Sequence, residues 1–326
     1  MAGICIDSNL VRKNYKKFWS NYRSWEKRDH ATEYMIYPGN LSTSIAIDEL
    51  TLSKGELYTY ITSKEKGQRN GTLIASIRGT KADEIIRLVK AKIPLADRER
   101  VEEISLDMAA TMKLAAQTLF PNARLVTDRF HVVKLVLEAL QSIRIDYRWQ
   151  AIEQENKEIR KKRKKKVPYQ PQRFSNGETR KELLARSRFL LFRMPSKWTD
   201  HQKERAKILF KEYPKLRDAY RLAVKFRKIY QLHSPILAKA KIRQWFREVT
   251  FWKITEFNTV ANSIALHLDT ILNFFINRST NAFAESFNAK IKLFRANLRG
   301  VSNPTFFLFR IEKLFTKIGT IPRNFQ

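Results

Sequence analysis

Cysteine is almost missing: Cys5 stands alone among 326 residues. That excludes an intramolecular disulfide framework and any zinc site built on paired CxxC motifs, and it suits a reducing compartment. No run of about 18 uncharged apolar residues occurs, and the N-terminus has no apolar core of the kind that directs export. The expectation is a cytoplasmic protein that makes no use of a membrane. Acidic residues are also scarce, 32 Asp and Glu against 63 Lys and Arg, which leaves a net charge of +31. Such a surplus selects a polyanionic partner, nucleic acid first, because neutralising phosphates releases counterions. What the chain does have is 43% hydrophobic residues. That is enough to bury a core in one large domain or two ordinary ones, and it excludes a disordered tail.

Along the chain, residues 8–30 space Leu10, Tyr15, Phe18, Tyr22 and Trp25 at roughly helical intervals among basic residues, predicting a short basic amphipathic helix. From Ser42 the pattern turns to the short β-rich runs STSIAIDEL, ELYTYITSK and TLIASIRG, parted by turn signals. They predict a three-stranded meander. ADEIIRLVKAKI reads as a helix, VEEISLDM as a strand, ATMKLAAQTLF as a helix, ARLVTD as a strand and RFHVVKLVLEALQSIRIDYRW as another helix. The order implies an α/β layer on a mixed sheet. Beyond residue 150 strand signals nearly vanish. Lys157 to Lys166 is charged too densely to pack, and the Pro- and Gly-punctuated VPYQPQRFSNGE follows, so an exposed connection is expected there, with helices resuming up to Phe257. The expected division is a basic helical segment at 1–40, the first part of an α/β core at 41–150, a basic helical insertion at 151–275 and the rest of the core at 276–326.

Three carboxylates draw attention. Asp48 ends the run SIAID, and alternation sets it on the face opposite Ile45 and Ile47; Asp107 ends EISLD, immediately before a helix. Acids at the ends of neighbouring strands can converge where a hard cation needs oxygen ligands. Each could equally be a helix cap or a turn former. Downstream, Phe283, Phe287, Ile291 and Phe294 form the apolar stripe of a helix, while Asn281, Glu285, Asn288 and Lys292 line a different, polar stripe. Taken alone, Glu285 reads as part of a solvated face.

Read together, IAIDEL, ISLDMAATMKLAAQTLFPNARLVTDRFHVVKLVLEALQSIR and NAFAESFNAKIK resemble the ribonuclease H-like catalytic core of DDE transposases, and more narrowly the ISL-three insertion-sequence family. The resemblance covers about residues 42–150 and 276–313. It implies Asp48, Asp107 and Glu285 as catalytic ligands of two Mg²⁺ or Mn²⁺ ions, with a helical insertion filling the long stretch between Asp107 and Glu285. Asp128 and His131 resemble a D-x-x-H signature beside the active site of several such transposases, and a supporting role is expected, with Asp128 the rival of Asp107 for the triad.

The resemblance further implies DNA as partner, both element ends and target, and a homo-oligomer in the active complex. Members of that family resemble fusions in which a zinc-ribbon and helix-turn-helix reader precedes the core, whereas here about 40 residues precede the first strand. A separately encoded recognition protein is therefore expected. The basic run Lys161, Lys162, Arg163, Lys164, Lys165 and Lys166 is assigned to phosphate contacts. The function expected is metal-dependent cleavage at element ends and strand transfer into target DNA. The alternatives are a non-catalytic nucleic-acid-binding remnant and a stand-alone nuclease of the same fold.

Overall fold

A computed structural model describes residues 8–53, 55–64, 72–278 and 282–316. It divides the chain into two compact units, one of residues 1–128 with 279–326 and one of residues 129–278.

The first unit is built on a sheet of six strands among the described residues: β1 (Tyr34–Ile36), β2 (Ser44–Ser53), β3 (Glu56–Ser63), β4 (Leu73–Arg78), β5 (Glu103–Leu106) and β6 (Arg124–Thr127), in spatial order β1-β4-β3-β2-β5-β6. β1 to β4 pair antiparallel, while β5 and β6 join β2 in parallel. The expected meander is β2-β3-β4. The short edge strand β1 was not legible in the sequence, and β2 runs on past Asp48 to Ser53, so Asp48 is not a strand end. It lies just beyond the point where β2 stops pairing with β5 while its pairing with β3 continues.

Strand alternation explains how the sheet is covered. Ile45, Ile47, Ile61, Ile104, Leu106 and Leu125 face one way. They form a core with helices α2 (Ala82–Lys92) and α4 (Ala110–Leu119), the short helix α3 (Leu95–Arg98) lying between these two in sequence. Leu50, Leu52, Tyr58 and Tyr60 face the other way, against α13 (Ala282–Asn297) and α14 (Pro304–Phe315). The N-terminal helix α1 (Ser8–Asn14) runs into a π-helical turn at Tyr15–Trp19, and the chain then turns, so the amphipathic helix expected over 8–30 is confined to its first half. Tyr22 and Trp25 are buried against Phe306 and Phe309, whereas Leu10 and Phe18 stay exposed.

The second unit is helical: α5 (Arg129–Lys164), α6 (Arg180–Arg186), α7 (Arg188–Phe192), α8 (Asp200–Glu212), α9 (Pro214–Ile229), α10 (Pro235–Trp252), α11 (Thr255–Leu266) and α12 (Leu268–Asn277). The basic run is not a loose connection. It is the exposed end of α5, a helix about 54 Å long at about 1.5 Å per residue. Lys and Arg have high helix propensity and, near a helix C-terminus, complement the macrodipole, so the run can stay helical without packing. Among the aromatic residues of this unit, Trp245 and Tyr220 are buried and Trp198 is partly so, whereas Trp252 lies at the surface. Among the described residues no single helix is long and apolar enough to cross a membrane.

Candidate active site

The pairing register brings the acidic residues together. Ser44 lies opposite Glu103 and Ala46 opposite Ser105 in β2 and β5, so two residues further on Asp48 falls level with Asp107. β5 and β6 pair Leu106 with Thr127, and the next step sets Asp107 level with Asp128, whose N–H donates to Leu106 O at 2.8 Å. Asp48, Asp107 and Asp128 thus form one row across three neighbouring strands, on the face that also carries Tyr60, the pairing partner of Asp48. Asp128 is buried and the other two are half-buried.

Backbone N–H groups fix two of these carboxylates. Asp48 Oδ1 accepts from Glu49 N (2.8 Å) and Asp107 Oδ1 from Ala109 N (2.8 Å). The turn-forming role open to Asp107 is therefore real, and it orients the side chain without excluding chemistry. Glu49, which nothing in its local sequence pattern singles out, has its carboxyl held above the ordinary value by burial, then by the charges of Asp107 and Asp48.

Helix α13 packs over this same face of the sheet. Ala284, Phe287 and Ile291 are buried, and Phe287 meets Tyr60 edge-on with centroids 5.4 Å apart. Arg295 Nη1 donates to Thr51 O at 2.8 Å, so the helix lies along β2. In this setting Asn288 Nδ2 donates to Asp48 Oδ2 at 2.6 Å. Glu285 is one turn earlier on the same helical face and is exposed, and Lys292, one turn later, is exposed too. Asn281 and the side chain of Phe283 lie outside the described residues. His131 is on the first turn of α5, in the helical unit, with its ring 5.6 Å from Phe130. Lys161 to Lys166 are all exposed, on or just past the end of α5.

As placed, no three His, Cys, Asp or Glu side chains among the described residues are gathered closely enough to hold a metal ion. The donor set nonetheless suits a hard cation. It is all oxygen, and the buried Asn288 Oδ1 beside Asp48 has no hydrogen-bond partner. An orphaned buried carbonyl is costly, and a cation or its water would satisfy it.

Phe287→Ala removes the aromatic anchor of this helix. It is expected to cost about 3–4 kcal/mol of stability, in the range for buried Phe truncations, and chemical denaturation with the wild-type chain alongside checks it.

A mixed sheet of this order, with acids on its central parallel strands, a helical unit interrupting it and a returning helix that brings a further acid, defines a ribonuclease H-like core. The profile of a transposase family, the ISL3-type DDE transposases, matches residues 45–311, and the chain belongs to that family. It is also similar to the transposase for insertion sequence element IS1001 of Bordetella parapertussis, 23% identical over 272 residues that make up 83% of this chain and 60% of that protein. The chain thus spans about 60% of the length of the curated relative it matches.

Proposed function

We infer that this chain cuts DNA at the ends of an insertion element and joins the freed 3′ ends to target DNA, with Asp48, Asp107 and Glu285 as the catalytic carboxylates. The observation that carries the reading is the cross-strand row of Asp48 and Asp107, with Asn288 of α13 bonded to Asp48 and Glu285 on the same face of that helix. Two Mg²⁺ or Mn²⁺ ions held by these carboxylates would supply Lewis-acid activation and charge neutralisation for phosphoryl transfer.

The protein's own groups provide position. The N–H of Glu49 and the Asn288 amide set both oxygens of Asp48, and the N–H of Ala109 sets Asp107. Glu285 completes the set by reaching inward from its exposed position, and Lys292 meets a phosphate of the bound strand. Asp128 shares the row, which supports a role beside the triad; its burial makes it the less accessible carboxylate, and Asp107 is assigned the second place. The whole protein's assembly is proposed as a homo-oligomer, with sequence recognition aided by a partner protein. The test is an oligonucleotide assay with element-end DNA and Mg²⁺. Cleavage followed by strand transfer supports the reading, cleavage without joining turns it into a nuclease, and neither reaction leaves the binding remnant.

The exposed lysines of α5 supply sequence-independent affinity. Replacing Lys161, Lys162, Lys164 and Lys165 with Ala is expected to weaken duplex binding about equally on all sequences and to flatten the slope of log K against log salt by roughly 0.9 for each phosphate no longer neutralised. Binding titrations at several salt concentrations check it; an unchanged slope removes this helix end from the interface.

A further inference from the structure

Beneath the acidic row lies a buried charge that the proposed chemistry does not use. Lys64 follows β3, and its N–H donates to Ser44 O at 2.8 Å, which sets it on the row of Ser44 and Glu103. Its Nζ donates to Ser105 Oγ at 2.6 Å and to Glu103 Oε1 at 3.2 Å, and the Lys64 and Glu103 side chains are only 4% and 8% exposed. Ala46, Ser105 and Val126 share the level between this pair and the acids, so mostly small residues separate them. Ser105 is two residues, roughly 7 Å along the strand, below Asp107.

Stability does not call for such a pair. Desolvating two charges offsets most of their attraction, and an apolar replacement of similar volume is often neutral or stabilising. The pair also has a direction in the sheet: the ammonium is bonded to Ser105, whose place on β5 is nearer the acidic row than that of Glu103. Burial pulls Lys64 below the ordinary lysine value, while Glu103 first and Asp128 after it draw it back up, so the ammonium lies within the field of the row.

We propose that Lys64 is a positioning residue for the reaction: its ammonium, held by Glu103 and Ser105 under the acidic row, sets how tightly Asp48 and Asp107 hold a divalent cation. The inference rests on the reading of those two aspartates as metal ligands. A fixed positive charge at this level weakens cation binding, so the metal stays exchangeable between turnovers.

The test is Mn²⁺ binding to the full-length chain, followed by the loss of the free-ion paramagnetic resonance signal. Lys64→Met removes the ammonium and keeps the Glu103 carboxylate, and is expected to bind Mn²⁺ about tenfold more tightly. Glu103→Gln removes the carboxylate and keeps the ammonium, and is expected to bind about tenfold more weakly. Both variants break the same ion pair, so a purely structural role would move them in the same direction. Shifts of one sign, or both within twofold of wild type, overturn the proposal. Should either single variant fail to fold, the double variant Lys64→Met with Glu103→Gln removes both charges of the pair together. It is expected to bind about threefold more tightly, because the ammonium is the charge bonded to Ser105 on the side of the acids, and unchanged binding overturns the proposal. Asp107→Asn tells a failure of this inference from a failure of the metal-ligand reading beneath it. If the wild-type chain shows no Mn²⁺ binding that this substitution removes, the metal-ligand reading fails and the inference with it.

Discussion

Asp107→Asn is expected to reduce cleavage and joining by at least about a thousandfold, equivalent to about 4 kcal/mol of transition-state stabilisation, while the melting temperature and duplex affinity stay near wild type. The amide keeps an oxygen where Asp107 Oδ1 accepts the Ala109 N–H, so the turn into α4 survives. What disappears is the negative charge of a hard-cation ligand. Asp48→Asn is expected to behave alike, since both of its oxygens keep their neighbours only in part while its charge is lost. A single-turnover cleavage assay beside thermal denaturation checks this. Activity within tenfold of wild type in either variant removes that residue from the catalytic set.

The second large effect is at Glu285. Because this side chain is exposed on α13, Glu285→Gln should change stability by no more than about 0.5 kcal/mol, the usual bound for surface substitutions, and yet abolish both reactions to the same degree as Asp107→Asn. A substitution that leaves the fold in place and removes activity is the signature expected of a catalytic group. Asn288→Ala should fall between, with a loss of about tenfold to a hundredfold in rate, because it deprives Asp48 of a 2.6 Å hydrogen bond but removes no charge. Parallel rate and stability measurements on the three variants give the ranking. A fully active Glu285→Gln chain would pass the third place to Asp128.

Much of this arrangement was legible in local pattern. Alternation in SIAID set Asp48 on the face away from Ile45 and Ile47, and the apolar spacing in AFAESFNAKIKLF set Glu285 and Asn288 on a stripe apart from Phe287 and Ile291, as the structure has them. What stayed hidden depends on pairing between distant segments. The level of Asp48 with Asp107 and Asp128 is a property of register, which no single strand encodes and which one residue of slip would change. The extent of β2 past Asp48 is set by its long antiparallel partner β3, not by its own sequence. Nothing in the run ELYTYITSK marks Lys64 as buried; it is the approach of β5 that encloses it. The basic end of α5 misled for the opposite reason. Charge density argued against packing, and it does not pack, but helix propensity needs no packing to extend a helix already anchored by Val132, Val136 and Leu140.

The most direct test of the central assignment is anomalous diffraction from crystals of the full chain bound to element-end DNA and soaked in Mn²⁺. One or two manganese peaks are expected within about 2.5 Å of carboxylate oxygens of Asp48 and Asp107, with Glu285 turned inward as a further ligand. Manganese absent from this row, or ligated by Asp128 with Glu285 still facing solvent, would contradict the assignment.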